Sequence, residues 1–221
     1  MVFFHGYKSD KEAFSAQISY FAKYYRVTAF DFLGFGKSAP IGEAFSVSDY
    51  AEWTAAVLSK LGVVRPHVVA HSFGCRVAIK LAAKNKEAFD KMILTGPAGV
   101  ILRRGFGYKS RVFLYRFIKK FAPVFAEKRF GSAEYRTLSP IEKESYKKIV
   151  NEDLLDDAAT IENEVLIVEG REDLTTPKEA AEAYLSRLKK STMQFIDGGH
   201  FAFAEHPVAF NLLVEEFLEH G

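Results

Sequence analysis

Short runs of β-forming residues alternate with longer helical patterns along most of this 221-residue chain. This alternation predicts βαβ units and a parallel sheet with helices on both faces. The runs are short and apolar, as expected of strands that are covered on both faces. The predicted strands are residues 1–4, 26–30, 67–70, 91–95, 164–169 and 192–196. The predicted helices are residues 11–24, 48–61, 73–85, 178–189 and 207–219.

The alternation breaks once, between residues 96 and 163. This segment contains the aromatic and basic run RVFLYRFIKKFAPVFAEKRF and shows no strand pattern. We therefore expect a mostly helical cap at residues 99–159, inserted into a core that residues 1–98 and 160–221 form. A chain of this length is typical of one large domain.

A serine follows one predicted strand and begins a predicted helix, in the stretch VVAHSFGCRVA. Ser72 is therefore expected on a tight, exposed turn. A serine hydroxyl is a poor nucleophile at neutral pH, so it needs a histidine base, which a carboxylate usually orients. Asp173 follows the strand VLIVEG, and His200 follows the strand TMQFID. All three residues lie just past the C-terminal ends of predicted parallel strands, where open α/β sheets place their sites.

Attack on a carbonyl also requires backbone N–H donors for the oxyanion that develops. The residue after the nucleophile supplies one donor, which is Phe73 in this chain. A second donor is expected from the loop after the first strand, which reads Phe4-His5-Gly6-Tyr7. The sequence therefore predicts an oxyanion hole made by the amides of Tyr7 and Phe73.

With these motifs the chain resembles the lid-bearing α/β hydrolases, a group of esterases, lipases and carbon–carbon bond hydrolases. The order Ser72, Asp173, His200 is that of the family. The dipeptide HG at His5 and the loop DFLGFGKS that begins at Asp31 resemble two further family motifs. The resemblance covers nearly the whole chain except the insertion. It implies an α/β fold with a mostly parallel, doubly wound sheet of the α/β-hydrolase type and a helical cap.

Two features depart from the family pattern. Ala70 stands where the G-x-S-x-G frame has its first glycine, and a methyl group is a modest enlargement at that position. The family usually has two more strands before the first one found here. Their loss would leave the strand around residues 27–30 at an exposed sheet edge, which invites pairing. We therefore expect either a truncated chain start or an edge that a partner covers, including a second copy of the chain.

Other polar residues near these motifs have structural interpretations. His71 is expected to pack or to line the pocket, and His5 to bond loop backbone beneath the oxyanion turn. Asp31 is expected to fix its own glycine-rich turn. Asp197 could act in place of the predicted carboxylate only after a loop rearrangement, and Cys75 is expected to be a small buried hydrophobe. Without a Cys/His ligand spacing or a glycine-rich phosphate loop, we expect neither a metal nor a cofactor.

The insertion carries an excess of positive charge. Residues 103–148 hold 13 Lys and Arg against 4 Glu, although the chain has a net charge of only +2. This excess permits contact with an anionic membrane surface or an acidic substrate. No nucleic-acid-binding module is recognised. The aromatic residues of the insertion either line an apolar acyl or aryl pocket or simply pack on the core; they are Phe106, Tyr108, Phe113, Tyr115, Phe117, Phe121, Phe125 and Phe130.

The expected function is that of a serine hydrolase, which cleaves an ester, thioester or amide of a small apolar acyl or aryl substrate through an acyl-enzyme. One alternative is hydrolysis of a carbon–carbon bond in a diketone-like substrate. The other is a non-enzymatic protein that binds a small molecule and keeps the three residues. Three features favour a cytoplasmic location for the protein. The chain has a single cysteine, its start lacks the pattern of a signal peptide, and it has no long apolar run.

Overall fold

The computed structural model describes residues 1–102, 135 and 137–220. Its strands in chain order are β1 (Val2–Phe4), β2 (Thr28–Ala29), β3 (Val68–His71), β4 (Met92–Thr95), β5 (Val165–Gly170) and β6 (Ser191–Ile196). They form a six-stranded sheet in the order β2-β1-β3-β4-β5-β6, and every pair is parallel. The predicted α/β fold with a mostly parallel sheet is confirmed.

The central strands are buried on both faces. In β1, Val2 and Phe4 belong to one apolar cluster, whereas Phe3 belongs to the cluster on the opposite face. The same alternation separates Val68 from Val69 in β3. Successive side chains of a strand point to opposite faces, so a strand covered on both sides is apolar throughout.

Helices cover both faces of this sheet. In chain order they are α1 (Ser15–Phe21), α2 (Val47–Lys60), α3 (Phe73–Lys84), α4 (Pro140–Val150), α5 (Leu155–Ala158), α6 (Lys178–Arg187), α7 (Ala202–Glu205) and α8 (Pro207–His220). Helix α1 packs against α8 on one face. Helices α2 and α3 pack together on the other face, where α5 joins α3 to α6. The sheet is therefore doubly wound, as predicted.

Most element bounds differ from those predicted, among them those of the first helix, α2 and β2. The helix expected at residues 11–24 starts as a 3₁₀ turn (Lys11–Phe14), and α1 ends at Phe21. Helix α2 begins at Val47 because Ser46 and Asp49 form a capping box that satisfies two otherwise unpaired backbone N–H groups. Strand β2 has two residues where five were predicted.

Strand β2 lies at one edge of the sheet, as the family resemblance predicted for this segment. It pairs with β1 through Val2 and Thr28 and through Phe3 and Ala29. Within the described residues, no strand pairs with its outer side. Coverage of this edge by a partner or by a second copy of the chain stays a prediction.

Most of the predicted cap at residues 99–159 lies outside the described residues, as do all eight aromatic candidates between residues 106 and 130. The described end of this segment forms α4 and α5. Arg76 of α3 donates from Nη1 to the backbone carbonyls of Ile149 and Glu152, at 2.7 and 3.0 Å. This buried guanidinium therefore ties the end of α4 to the helix that follows Ser72. The cap boundaries themselves stay a prediction.

Candidate active site

Ser72 lies between β3 and α3, with a backbone φ of 50° and ψ of −106°. A residue with a side chain rarely adopts this left-handed region, and such strain is typical of functional sites. Close packing surrounds the turn, since a Cβ at Gly74 would overlap the carbonyl of Phe4 and lie 2.9 Å from that of His5. The Ser72 side chain stays partly exposed at the start of α3.

Ala70 takes the place of the first glycine of the frame. It is fully buried in β3 and belongs to the same apolar cluster as Phe4 and Leu94, its partners on the two neighbouring strands. The methyl group is therefore part of the core. The sequence departure at Ala70 leaves the turn at Ser72 intact.

Asp173 and His200 are hydrogen bonded, with 2.7 Å between Asp173 Oδ2 and His200 Nδ1. Asp173 lies in the loop after β5 and its side chain is 1% exposed, whereas that of His200 is 13% exposed. Burial alone would raise the pKa of Asp173, but hydrogen bonds from His200 and Thr176 outweigh it and lower the pKa to about 2. Because an ionised carboxylate only accepts hydrogen bonds, Nδ1 of His200 carries the proton and Nε2 is left as a base.

Asp173 accepts three further hydrogen bonds. The backbone N–H groups of Thr175 and Thr176 donate to Oδ1 at 2.7 and 3.0 Å, and the Thr176 hydroxyl donates to Oδ2 at 2.8 Å. Local bonds of an aspartate to groups two and three residues on are typical of turns. The sequence D-L-T-T after β5 was therefore a signal for them, although Thr176 was not among the predicted site residues.

His71 supports the loop of His200. Its ring is fully buried, and Nε2 lies 2.9 Å from the backbone carbonyl of His200. A carbonyl accepts, so Nε2 donates this bond. Burial lowers the pKa of His71 to about 3, so the ring is neutral at physiological pH. The packing role predicted for His71 agrees with these contacts.

The loop after β1 passes beside Ser72. A Cβ at Gly6 would lie 3.6 Å from the Cβ of Ser72. The rings of Tyr7 and Phe73 pack edge to face with 5.9 Å between their centroids. As the first residue of α3, Phe73 also has an N–H without an acceptor inside the helix. The structure therefore brings Tyr7 and Phe73 together at Ser72, and the use of their amides as an oxyanion hole stays a prediction.

His5 and Asp31 hold the two loops behind the site. His5 Nε2 accepts from the backbone N–H of Phe32 at 2.9 Å, so its Nδ1 donates to the carbonyl of Gly6 at 2.8 Å. Burial lowers the pKa of His5, which keeps this tautomer neutral. Asp31 Oδ2 accepts from the backbone N–H of Lys37 at 2.8 Å within its own glycine-rich turn. Both predicted structural roles are confirmed.

The candidate nucleophile and base are not hydrogen bonded to each other in the structure. Within the described residues no hydrogen bond joins the Ser72 hydroxyl to His200. The ring of His71, the residue before the serine, lies 4.6 Å from the ring of His200 between centroids. Catalytic hydrogen bonds are often long before substrate binds and shorten in the complex. The structure therefore brings Ser72, Asp173 and His200 together at the C-terminal ends of the parallel strands β3, β5 and β6. The hydrogen bond between Asp173 and His200 is formed.

Competing candidates lie away from this arrangement. Asp197 pairs with Arg171 at 3.1 Å and its side chain is 75% exposed, so it does not take the place of Asp173. Cys75 is buried, and burial raises the pKa of its thiol. The described residues contain no cluster of His, Cys, Asp or Glu that could hold a metal ion. Nor does this part of the chain contain a helix with the length and apolar character needed to cross a membrane.

Comparison with known proteins identifies the family. A family model described as alpha/beta hydrolase fold matches residues 1–138. The chain belongs to the α/β hydrolase fold family. It is 29% identical to 2-hydroxymuconate semialdehyde hydrolase from Pseudomonas putida, in an alignment that covers 87% of this chain and 76% of the relative.

A second relative of this α/β hydrolase, also from Pseudomonas putida, is named 2-hydroxy-6-oxononadienedioate/2-hydroxy-6-oxononatrienedioate hydrolase 2. It is 31% identical in an alignment that covers 89% of this chain and 78% of the relative. The fold is also similar to the solved structure of a thermophilic esterase from Thermogutta terrifontis. That match has a TM-score of 0.74 and 20% identity, and it covers 98% of this chain and 88% of the esterase.

Proposed function

We propose that this α/β hydrolase is a serine hydrolase that attacks a carbonyl carbon through Ser72. The observation that carries the proposal is the left-handed backbone of Ser72, with φ 50°, at the start of α3. This strained turn lies at the C-terminal ends of the parallel strands, as does an ionised Asp173 that is hydrogen bonded to His200. A nucleophile on a sharp turn beside an oriented histidine is what activation of a serine requires.

Each residue has a role in the proposed reaction. His200 Nε2 removes the proton of the Ser72 hydroxyl as the oxygen attacks, and later delivers that proton to the leaving group. Asp173 holds the His200 ring in the required tautomer and stabilises it once it is protonated. The amides of Tyr7 and Phe73 donate to the oxyanion. Water then releases the acyl group by the same sequence of steps.

An ester, thioester or amide of a small apolar acid is the first substrate candidate. Aromatic rings surround the start of α3, with Phe35 5.1 Å from Tyr7 and 5.7 Å from Phe73 between ring centroids. A small cavity next to them is lined by the apolar or aromatic side chains of Tyr7, Phe35, Ile41, Tyr50 and Leu138 and by the polar ones of Lys8, Glu142 and Ser145. Apolar walls with a few polar groups favour a short acyl or aryl group.

A carbon–carbon bond is the second candidate, and the names of the two Pseudomonas putida relatives favour it. Those names describe hydroxylated oxo compounds without an ester, thioester or amide. Hydrolysis of such a compound has to break a carbon–carbon bond next to a carbonyl. Attack by Ser72 on that carbonyl serves both candidates, because they differ only in the group that leaves.

Labelling with a fluorophosphonate tests the activated serine before any substrate is known. The wild-type protein should take one label, and Ser72→Ala should take none. Ser186→Ala is the matched control, because Ser186 lies exposed on α6. Labelling that persists in Ser72→Ala would contradict the assignment. Absence of both label and turnover in the wild type would favour the non-enzymatic binding alternative.

A direct comparison of substrates separates the two bond types. Turnover of p-nitrophenyl esters of increasing acyl length is measured beside turnover of a 2-hydroxy-6-oxo-dienoate. The ester candidate predicts a higher kcat/KM for the short esters. A preference for the dienoate by about tenfold or more, which corresponds to about 1.4 kcal/mol in transition-state binding, would instead favour carbon–carbon bond hydrolysis.

A further inference from the structure

Helix α4 packs against both segments that carry the predicted oxyanion donors. Ser145 and Tyr146 precede Ile149 by four and three positions, so all three lie on one face of the helix. Ser145 and Ile149 are 2% exposed, which shows that this face packs against the core. Its contacts join α4 to two segments that are distant in sequence, the loop of Tyr7 and the helix that begins at Phe73.

The first of these segments is the loop after β1. The rings of Tyr7 and Tyr146 pack edge to face, with 5.3 Å between their centroids and 61° between their planes. The ring of Tyr7 also packs edge to face on Phe35 and Phe73, at 5.1 and 5.9 Å between centroids. It is therefore held between two rings of the hydrolase core and one ring of α4.

The residue after Tyr7 is attached to the chain just before α4. Lys8 Nζ donates to the hydroxyl of Thr137 at 2.7 Å. The backbone φ of Lys8 is 54°, in the left-handed region that residues with a side chain rarely adopt. Such a conformation persists only where the surrounding contacts hold it. The loop is therefore fastened to the region of α4 at two consecutive residues.

The second segment is α3, whose first residue is Phe73. Arg76 lies one turn further along α3 and is 8% exposed. Its Nη1 donates to the backbone carbonyls of Ile149 and Glu152, at the C-terminal end of α4. Hydrogen bonds from a charged donor are stronger than those between neutral groups. Helix α4 therefore connects the loop of Tyr7 to the helix of Phe73.

We propose that Tyr146 and Thr137 are positioning residues, which hold the loop of Tyr7 so that its backbone N–H and that of Phe73 point at the same oxyanion. Each donor has to lie roughly 3 Å from that oxygen, so the distance between loop and helix must be fixed. A helix anchored to both segments fixes it more precisely than a loop alone. The inference rests on the proposed function, because the oxyanion forms only if Ser72 attacks a carbonyl.

Two esters that differ in one atom report the oxyanion separately from the rest of the site. Attack on p-nitrophenyl acetate develops negative charge on oxygen. Attack on its thiono ester, which has C=S in place of C=O, develops that charge on sulfur. Sulfur is a weak acceptor of hydrogen bonds, so the thiono ester gains less from the backbone donors. The ratio of kcat/KM for the two esters therefore measures the use of the oxyanion hole.

Tyr146→Ala removes the ring that packs on Tyr7, whereas Tyr146→Phe keeps it. Lys147→Ala is the control on the same helix, because Lys147 is exposed. We expect Tyr146→Ala to lower kcat for the oxygen ester by about ten- to a hundredfold with little change in KM, and to lower the ester ratio by about fivefold or more, because a displaced donor matters chiefly to oxygen. Tyr146→Phe and Lys147→Ala should stay within about twofold of the wild type, since both keep the ring pair.

Thr137→Val tests the second contact, at an exposed position. It removes the hydroxyl that accepts from Lys8 and should lower the ester ratio by about two- to fivefold. An unchanged ratio in Thr137→Val would overturn the inference even if Tyr146→Ala fails to fold. Wild-type kcat and ester ratio in a folded Tyr146→Ala protein would also overturn it. So would equal losses for the two esters, or a Tyr146→Phe protein as slow as Tyr146→Ala.

Hydrogen exchange reports the loop without catalysis. We expect the backbone amides of residues 5–8 to exchange about fivefold faster or more in Tyr146→Ala than in the wild type, because the loop opens more often. Unchanged exchange would overturn the inference. A wild-type protein that takes no fluorophosphonate label would contradict the proposed function, whereas faster exchange in Tyr146→Ala would still report that α4 holds the loop. The two failures are therefore distinguishable.

Discussion

His71 donates a 2.9 Å hydrogen bond from Nε2 to the backbone carbonyl of His200, so the residue before the candidate nucleophile holds the loop of the candidate base. The two histidines are 129 positions apart in the chain, and the bond is partly buried, with the ring of His71 on its buried side. It therefore links the turn at Ser72 directly to the loop of His200, whether or not a substrate is bound. The relative placement of nucleophile and base therefore depends on a neutral, buried imidazole.

Substitution His71→Phe should lower kcat for p-nitrophenyl acetate by about tenfold or more while KM changes little, because the His200 loop loses its anchor. The unpaired carbonyl should also lower the free energy of unfolding by about 1–3 kcal/mol. Steady-state kinetics and urea unfolding measure the two effects. His206→Gln, at an exposed histidine after α7, is the control. An unchanged kcat in His71→Phe would show that the bond does not set the geometry of the site.

Asp173→Asn should lower kcat by about 10³ to 10⁴, because an amide in place of the carboxylate favours the wrong tautomer of His200. Thr176→Val removes only one of the four donors to Asp173 and should cost roughly tenfold. Single-turnover kinetics with the same ester give both values. Equal losses in the two variants would mean that Thr176 acts on the reaction by another route.

The stability of the protein should depend on pH through Glu169, a fully buried residue of β5. Its pKa rises from 4.5 to about 8 on folding, because of burial and the charge of Asp173. The folded protein therefore keeps a proton that the unfolded chain releases, so the contribution of Glu169 is fully present below pH 4.5 and is lost as pH rises toward 8. The free energy of unfolding should fall by up to about 1.4 kcal/mol per pH unit in this window.

Glu169→Gln removes this dependence, because an amide has no proton to release. The difference in Tm between Glu169→Gln and the wild type should therefore grow from about pH 5 to about pH 8 and then level off. Differential scanning calorimetry across this range measures it. A difference that stays constant with pH would show that Glu169 titrates normally in the folded protein.

The two ends of the serine turn should tolerate substitution differently. Gly74→Ala places a methyl group against the backbone carbonyl of Phe4 and should destabilise the protein by about 1–3 kcal/mol or more. Ala70→Gly removes a buried methyl group from β3 and should cost only about 0.5–1 kcal/mol. Urea unfolding measures both changes, and fluorophosphonate labelling shows whether the turn survives. Similar costs at both positions would contradict this difference.

Much of the fold could be predicted from the sequence, because the central strands are buried on both faces and therefore form unbroken apolar runs. The placement of Asp173 and His200 could be predicted from the same pattern, because the C-terminal ends of parallel strands lie on the same side of a sheet. The bounds of the edge strand could not be predicted, because pairing on one side supports only Thr28–Ala29 of β2. Helix α2 begins earlier than predicted because Ser46 supplies the cap.

The contact between His71 and the His200 loop and the burial of Glu169 both escaped prediction. The partner of His71 lies 129 residues away, and periodicity carries no information on such pairs. Glu169 sits within VLIVEG, where strand pattern alone does not distinguish a carboxyl group from a surface residue at the end of the strand. Its burial depends on the loop at Asp173 and on helix α3.

Ala70 has a consequence for how proteins of this kind are found in genomes. A pattern search that demands glycine two positions before the serine would pass over this chain, although its backbone makes the same turn. The glycine two positions after the serine is the one that the neighbouring strand enforces, because Phe4 leaves no room for a side chain at Gly74. A search pattern that accepts any small residue at the first position and only glycine at the second would retain such sequences.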